Sequence, residues 1–196
     1  MNLKRFIELM YKKIGVLEMK LVSSFREGYI GKNTYEVTLN DGTKKMIDQI
    51  VKGDNNGDAV IIVPVTNDDK VVVVLESRPM VKSGVNLGFP AGMVDPGENP
   101  YDAAVRELRE ETGYEAKEIV PIEWHYQDQG CSKAIITTFL AKGCEKKYDT
   151  DFDEGERLEA TEVTWDEIKR EMEDPFSDNF KDAGSKIAYF YANKQR

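Results

Sequence analysis

The stretch NPYDAAVRELREETG, Asn99 to Gly113, constrains the fold more tightly than any other part of the chain. Asn99 can cap a helix with its side chain, Pro100 suits the first helical position, and Gly113 can end the helix in a left-handed turn. The spacing predicts a helix over residues 100–112. On such a helix Glu107, Glu110 and Glu111 share an arc of about 100°. Tyr101, Ala104, Val105 and Leu108 form its core face, and Asp102, Arg106 and Arg109 its outer face. Like charges three and four residues apart cost roughly 0.2–0.5 kcal/mol per pair when exposed, and more as water is excluded. Glu110 and Glu111 also lie in the last turn, where the helix dipole disfavours anions. Breaking two local rules on one face marks that face as a site. A hard divalent cation, Mg²⁺ or Mn²⁺, takes oxygen ligands and turns the repulsion into affinity.

The segments around this helix agree with that reading. AGMVDPGENP, just before it, is dense in turn residues, and Gly92 and Gly97 let main chain approach a ligand closely. DAVIIVPV and KVVVVLES lack polar alternation and read as buried central strands. Further strands are expected at EIVPIEWHY and KAIITTFLA, and a closing helix in FSDNFKDAGSKIAYFYANK, where Tyr189, Phe190 and Tyr191 are expected to bury against the sheet. Earlier, EMKLVSSF and YEVTLNDGTKKMIDQIV read as strands, with Asn40-Asp41-Gly42 as a hairpin turn. Leu3, Phe6, Ile7, Met10 and Ile14 recur at helical spacing and predict an amphipathic helix packed on the body. A division into residues 1–53 and 54–196 follows.

Composition excludes several classes of function. The chain has 196 residues and a net charge of −9, which repels nucleic-acid phosphate. One histidine, His125, and two scattered cysteines leave too few ligands for a Cys/His zinc site and argue against Ser-His-Asp chemistry. No apolar run is long enough to span a membrane. The cysteine usage suits a reducing cytoplasm.

Gly92, Glu98, Arg106, Glu107, Leu108, Glu110, Glu111, Gly113 and Tyr114 reproduce without a gap the spacing of the Nudix box, so the chain resembles the Nudix hydrolases. ESRPMVKSGVNLGFPAGMVDPGE is similar to the approach to the box in the ADP-ribose pyrophosphatase branch. The resemblance implies an α/β Nudix fold, a mixed sheet between helices, with a small N-terminal antiparallel β-domain that pairs two copies into a homodimer. It implies Glu107 and Glu111 as principal metal ligands, with Glu110 supporting them and the Ala91 carbonyl completing the shell. Gly92 and Gly113 are the box's structural glycines, and Glu98 and Arg106 would hold loop to helix. The implied reaction is metal-dependent cleavage of a diphosphate linkage to two monophosphates.

In the acidic segment DFDEGERLEATEV, Glu156 aligns best with the family's general base, and Glu154 is the runner-up. An EF-hand reading of the same segment fails, because the sixth position is Glu154 rather than glycine and the twelfth is Ala160. Arg78, after an apolar strand, is expected to bind substrate phosphate or ribose. Gln129 stands where the ADP-ribose branch carries a proline. The resemblance therefore leaves ADP-ribose, another nucleotide sugar and a dinucleoside polyphosphate open as substrates, with a non-catalytic nucleotide-sensing module as the alternative to hydrolysis.

Overall fold

A tight turn in strand-forming sequence builds the first of two units in the computed structural model, which describes residues 2–151 and 157–195. Helix α1 (Leu3–Ile14) is capped by the Asn2 side chain, which accepts from Arg5 N at 3.0 Å. Strands β1 (Val16–Glu27), β2 (Ile30–Leu39) and β3 (Lys44–Lys52) follow as an antiparallel sheet in that order. Asn40-Asp41-Gly42 joins β2 to β3, with Gly42 N donating to Leu39 O at 2.9 Å. Asp128–Ala134 belongs to this unit as well. Ile50 N donates to Cys131 O at 2.7 Å, which fastens that segment beside β3. Helix α1 forms where periodicity predicts it, but it packs differently from expectation, since none of its residues is buried. The reason is a shortage of core. Val37 and Ala134 are the buried apolar side chains of this unit, and a single-layer sheet offers no second surface for the helix stripe.

The second unit comprises Asp58–Gln127 and the chain from Ile135 onward. It contains β4 (Ala59–Thr66), β5 (Val71–Ser77), β6 (Val85–Gly88), β7 (Ala91–Met93), α2 (Pro100–Thr112), β8 (Tyr114–Glu115), β9 (Glu118–Tyr126), β10 (Ile135–Lys146), β11 (Leu158–Val163), α3 (Trp165–Glu173) and α4 (Ala183–Asn193). The sheet runs β11-β5-β4-β10-β8, with β6 beside β5, β7 beside β4 and β9 beside β10. β10 pairs with β4 in parallel and the other ladders are antiparallel, so the sheet is mixed. The valine-rich runs of β4 and β5 sit at its centre because both their faces are covered. On one face Val60, Ile62 and Phe139 pack against Ala103, Ala104 and Leu108 of α2. On the other, Val63, Val71 and Leu140 pack against Trp165 and Ile168 of α3 and Ala188 of α4.

Of the three aromatics expected to bury in the last helix, Tyr189 alone packs inward, its ring 5.8 Å from that of Trp165. Phe190 and Tyr191 are exposed. Successive helical positions diverge by about 100°, so three in a row cannot face one sheet.

The ends of α2 follow from local chemistry. The Asn99 side chain accepts from Tyr101 N and Asp102 N, both at 3.0 Å. Gly113 adopts φ 72° and donates its N–H to Arg109 O at 2.8 Å. Its carbonyl then accepts from Lys147 N and Tyr148 N, and a Cβ at Gly113 would run into the Tyr148 carbonyl. Gly113→Ala therefore combines a left-handed backbone with a steric overlap, and is expected to destabilise the protein by more than about 1 kcal/mol. Thermal unfolding measures this; an unchanged midpoint would mean that the Lys147–Tyr148 segment yields freely.

Candidate active site

Strand β7 is only three residues long, and it brings bare backbone up to the acidic face of α2. Gly92 pairs with Val60, and a Cβ at Gly92 would overlap the Glu107 carboxyl group. Ala91 N donates to Glu111 Oε2 at 3.0 Å, and Glu111 is 5% exposed. Two of the three glutamates thus lie against the Ala91–Gly92 main chain, while Glu110 stands farther out toward solvent.

Arg106 gathers the remaining charge. Its Nη1 donates to Glu107 Oε1 at 2.7 Å and to Glu110 Oε2 at 3.1 Å. Its Nη2 donates to Met93 O at 2.9 Å and Glu98 Oε2 at 3.0 Å, and its Nε to Glu98 Oε1 at 3.1 Å. The guanidinium therefore spans the β7 end, the following loop and the helix. The Arg106 fork and the Asp95 N–H hold the Glu98 carboxyl below its ordinary pKa, and Glu98 in turn raises that of Arg106.

Not every expected residue joins this cluster. Arg78 lies just past β5 with Nε 2.7 Å from Glu76 Oε1, and its side chain is about half exposed. Glu154 and Glu156 lie outside the described residues. The segment leading toward them is tied to the helix, with Asp151 N donating to Glu110 O at 3.0 Å. His125 pairs its Nδ1 with Glu123 Oε2 at 3.0 Å on β9. Sequence reasoning missed the main-chain partners, Ala91 N and Met93 O. Every residue carries those groups, so composition gives no signal for them.

The donors present fit a hard divalent cation: they are carboxylate oxygens beside a strand whose close approach only glycine permits. Among the described residues no three His, Cys, Asp or Glu side chains enclose a metal unaided. That also fits, because Mg²⁺ usually takes one or two carboxylates and fills its shell with water and phosphate.

The Glu98–Arg106 bonds make a pH prediction. A depressed carboxyl pKa contributes stability above the ordinary carboxylate range, and that contribution is lost as pH falls through the folded value. Glu98→Gln is expected to lower stability by about 1–2 kcal/mol near neutral pH, with the gap to wild type closing in acid. Denaturant unfolding at several pH values measures it, and a pH-independent gap would assign the loss to packing.

Comparison with known proteins agrees with this geometry. A protein from Bacillus methanolicus, the methanol dehydrogenase activator, is 39% identical over 111 residues, 56% of this chain and 59% of that protein. The ADP-ribose pyrophosphatase of Bacillus subtilis is 36% identical over 120 residues, 59% of this chain and 62% of that enzyme. The chain therefore spans less than two thirds of the length of these curated relatives. A crystal structure of an ADP compounds hydrolase superposes with a TM-score of 0.74 at 23% identity, covering 93% of this chain and 94% of the other, which shows the shared fold. The NUDIX domain matches residues 55–183, which contain the whole β7–α2 seat, and the chain belongs to the NUDIX domain family.

Proposed function

We propose that this chain is a Nudix pyrophosphohydrolase that cleaves the diphosphate linkage of ADP-ribose or a related nucleoside diphosphate sugar into two monophosphates, with Mg²⁺ or Mn²⁺ as its ion. The observation that carries the reading is the seat formed where Ala91–Gly92 meets Glu107 and Glu111. In this reading Glu107 and Glu111 hold the ion, Glu110 and the Ala91 carbonyl complete its protein ligands, and Glu156 takes the proton of the attacking water. When bound, such an ion neutralises phosphate charge and lowers the pKa of that water. Arg106 keeps the carboxylates grouped before charge arrives, and Arg78 meets the substrate's phosphate or ribose. The ADP-ribose pyrophosphatase of B. subtilis and the ADP-sugar pyrophosphatase of Mus musculus, 34% identical over 107 residues, support the substrate class.

A second reading keeps the chemistry and changes the substrate. Gln129 stands in the segment where the ADP-ribose branch has a proline, which favours another nucleotide sugar or a dinucleoside polyphosphate. Comparing kcat/KM across ADP-ribose, other nucleotide sugars and dinucleotides separates the two.

The exposed stripe of α1 and the uncovered strand β1 support a homodimer. A protein of this kind works in the cytoplasm. No helix among the described residues is long and apolar enough to cross a membrane. Sedimentation is expected to give the mass of two chains; a monomer at working concentration would remove the dimer. With ADP-ribose and Mg²⁺ the protein is expected to release AMP, and EDTA should stop it. Glu111→Gln is expected to lose at least about a hundredfold in kcat while unfolding at a temperature close to wild type. A fully active variant would sink the ligand assignment.

A further inference from the structure

The last turn of α2 carries Glu110 and Glu111, and it is the part of the helix that its own backbone holds least. Gly113 turns the chain out of the helix, so the next amide, Tyr114 N, donates to Thr112 Oγ1 at 3.1 Å. A continued helix would have sent that amide to Glu110 O. Carbonyls left over at a helix end need donors from elsewhere, and ends without them fray. Here the donors come from the chain beyond β10. Asp151 N donates to Glu110 O at 3.0 Å, and Lys147 N and Tyr148 N donate to Gly113 O at 2.9 and 3.0 Å. Residues 147–151 therefore run back across the end of α2 as a strap.

Side chains fix the strap in place. The Arg109 guanidinium lies over the Tyr148 ring, with Cζ 4.4 Å from its centroid, and the Tyr148 hydroxyl donates to Glu115 Oε1 at 3.2 Å. Lys147 Nζ bonds the other oxygen of Glu115. Burial contributes little, since every residue from Lys147 to Asp151 is exposed. A cavity of about 1190 Å³, lined also by Asp102 and Val105, and another of about 270 Å³, lined also by Lys117 and Ile119, both reach Arg109 and Tyr148. The strap is thus held by these few polar and ring contacts rather than by a core.

We propose that Tyr148 is a positioning residue for the metal seat: clamped between Arg109 and Glu115, it holds the strap so that Asp151 N stays on Glu110 O and the last turn keeps Glu110 and Glu111 facing the seat. This rests on the ligand assignment made above. The turn needs such a restraint, because neighbouring glutamates and the negative end of the helix dipole both favour its unwinding. Arg106 offsets charge on Glu107 and Glu110, but its bonds go to side chains and leave the carbonyls of the last turn to other donors. When only a fraction of molecules holds the turn in order, the apparent affinity for an ion falls by that fraction.

The test titrates the full chain with Mn²⁺ alone and counts the free ion by its electron paramagnetic resonance signal. Tyr148→Ala is expected to raise the Kd about tenfold, the lower end of what supporting residues contribute to metal affinity, and Tyr148→Phe, which keeps a ring under Arg109, should recover most of it. Arg109→Gln gives an independent arm at an exposed helix position that tolerates glutamine. By charge alone, removing a cation beside the seat would tighten Mn²⁺ binding. The strap predicts weaker binding instead, and no further loss when Tyr148→Ala is added. Unchanged affinity in Tyr148→Ala, or tighter binding in Arg109→Gln, overturns the proposal.

Glu111→Gln separates this from the ligand assignment. Loss of Mn²⁺ binding in Glu111→Gln together with unchanged binding in Tyr148→Ala removes the strap's role and leaves the seat standing. Binding that survives Glu111→Gln, or no binding by the wild type, removes the seat and the strap's role with it. Hydrolysis of ADP-ribose gives the last arm: activity lost by Tyr148→Ala at low Mn²⁺ should return as the ion saturates, and a loss that persists at saturation with an unchanged Kd overturns the proposal.

Discussion

The Arg106 guanidinium is the interaction on which the rest of the site depends. Glu98, Glu107 and Glu110 all lie within 3.1 Å of it, and a helix with these carboxylates and no such partner would carry their repulsion into a partly buried place. Geometry matters as much as charge. The fork serves Glu98 with two bonds, a main-chain carbonyl with one, and the helix glutamates with two more. A lysine has three donors on one nitrogen and could not span these positions. Because one of the five bonds goes to Met93 O, at the end of β7, the same group that groups the charges also fastens the short strand to the helix.

Much of this was legible in the sequence wherever the cause is local. The bounds of α2 depend on a side chain at Asn99 and a positive φ at Gly113, both of which single residue types announce. The central strands were legible because burial on both faces erases alternation. What could not be read depends on partners far along the chain. Asp128–Ala134 belongs with the first unit although residues 53–127 separate it from β3, and no linear boundary can express that. The α1 stripe is visible as a period, but whether anything covers it is a question of how much core the neighbouring sheet supplies. The β9–β10 ladder shifts register between Thr138 and Phe139, which puts Trp124 on the sheet face opposite Ile122, and no composition signal marks that shift.

The first unit illustrates how little core a three-stranded sheet can hold. Gln49 is 4% exposed, and neither its amide nitrogen nor its oxygen has a hydrogen-bond partner among the described residues, a cost of about 1–3 kcal/mol for a buried polar group. With few buried apolar side chains to offset this, the ladders of β1, β2 and β3 and the Ile50–Cys131 bond carry most of the order. A unit so built gains more from covering its exposed stripe than from refining its interior.

The second unit achieves its layout by two departures from regular strand geometry rather than by strands alone. Gly92 removes a side chain so that Glu107 can occupy the space above the sheet, and the β9 register shift turns Trp124 onto the same side. Without the first, Glu107 would be pushed off the strand; without the second, the indole would join Val120 and Ile122 under α4. The first departure falls on the row that crosses β7, β4, β10 and β9, and the second lies beside it, at Ile122. The regular strands between them, Val60 and Thr137, act as a spacer whose length is set by hydrogen-bonding distance and is therefore rigid. The separation of the row's two ends is therefore a property of the backbone ladder, independent of the side chains that line it.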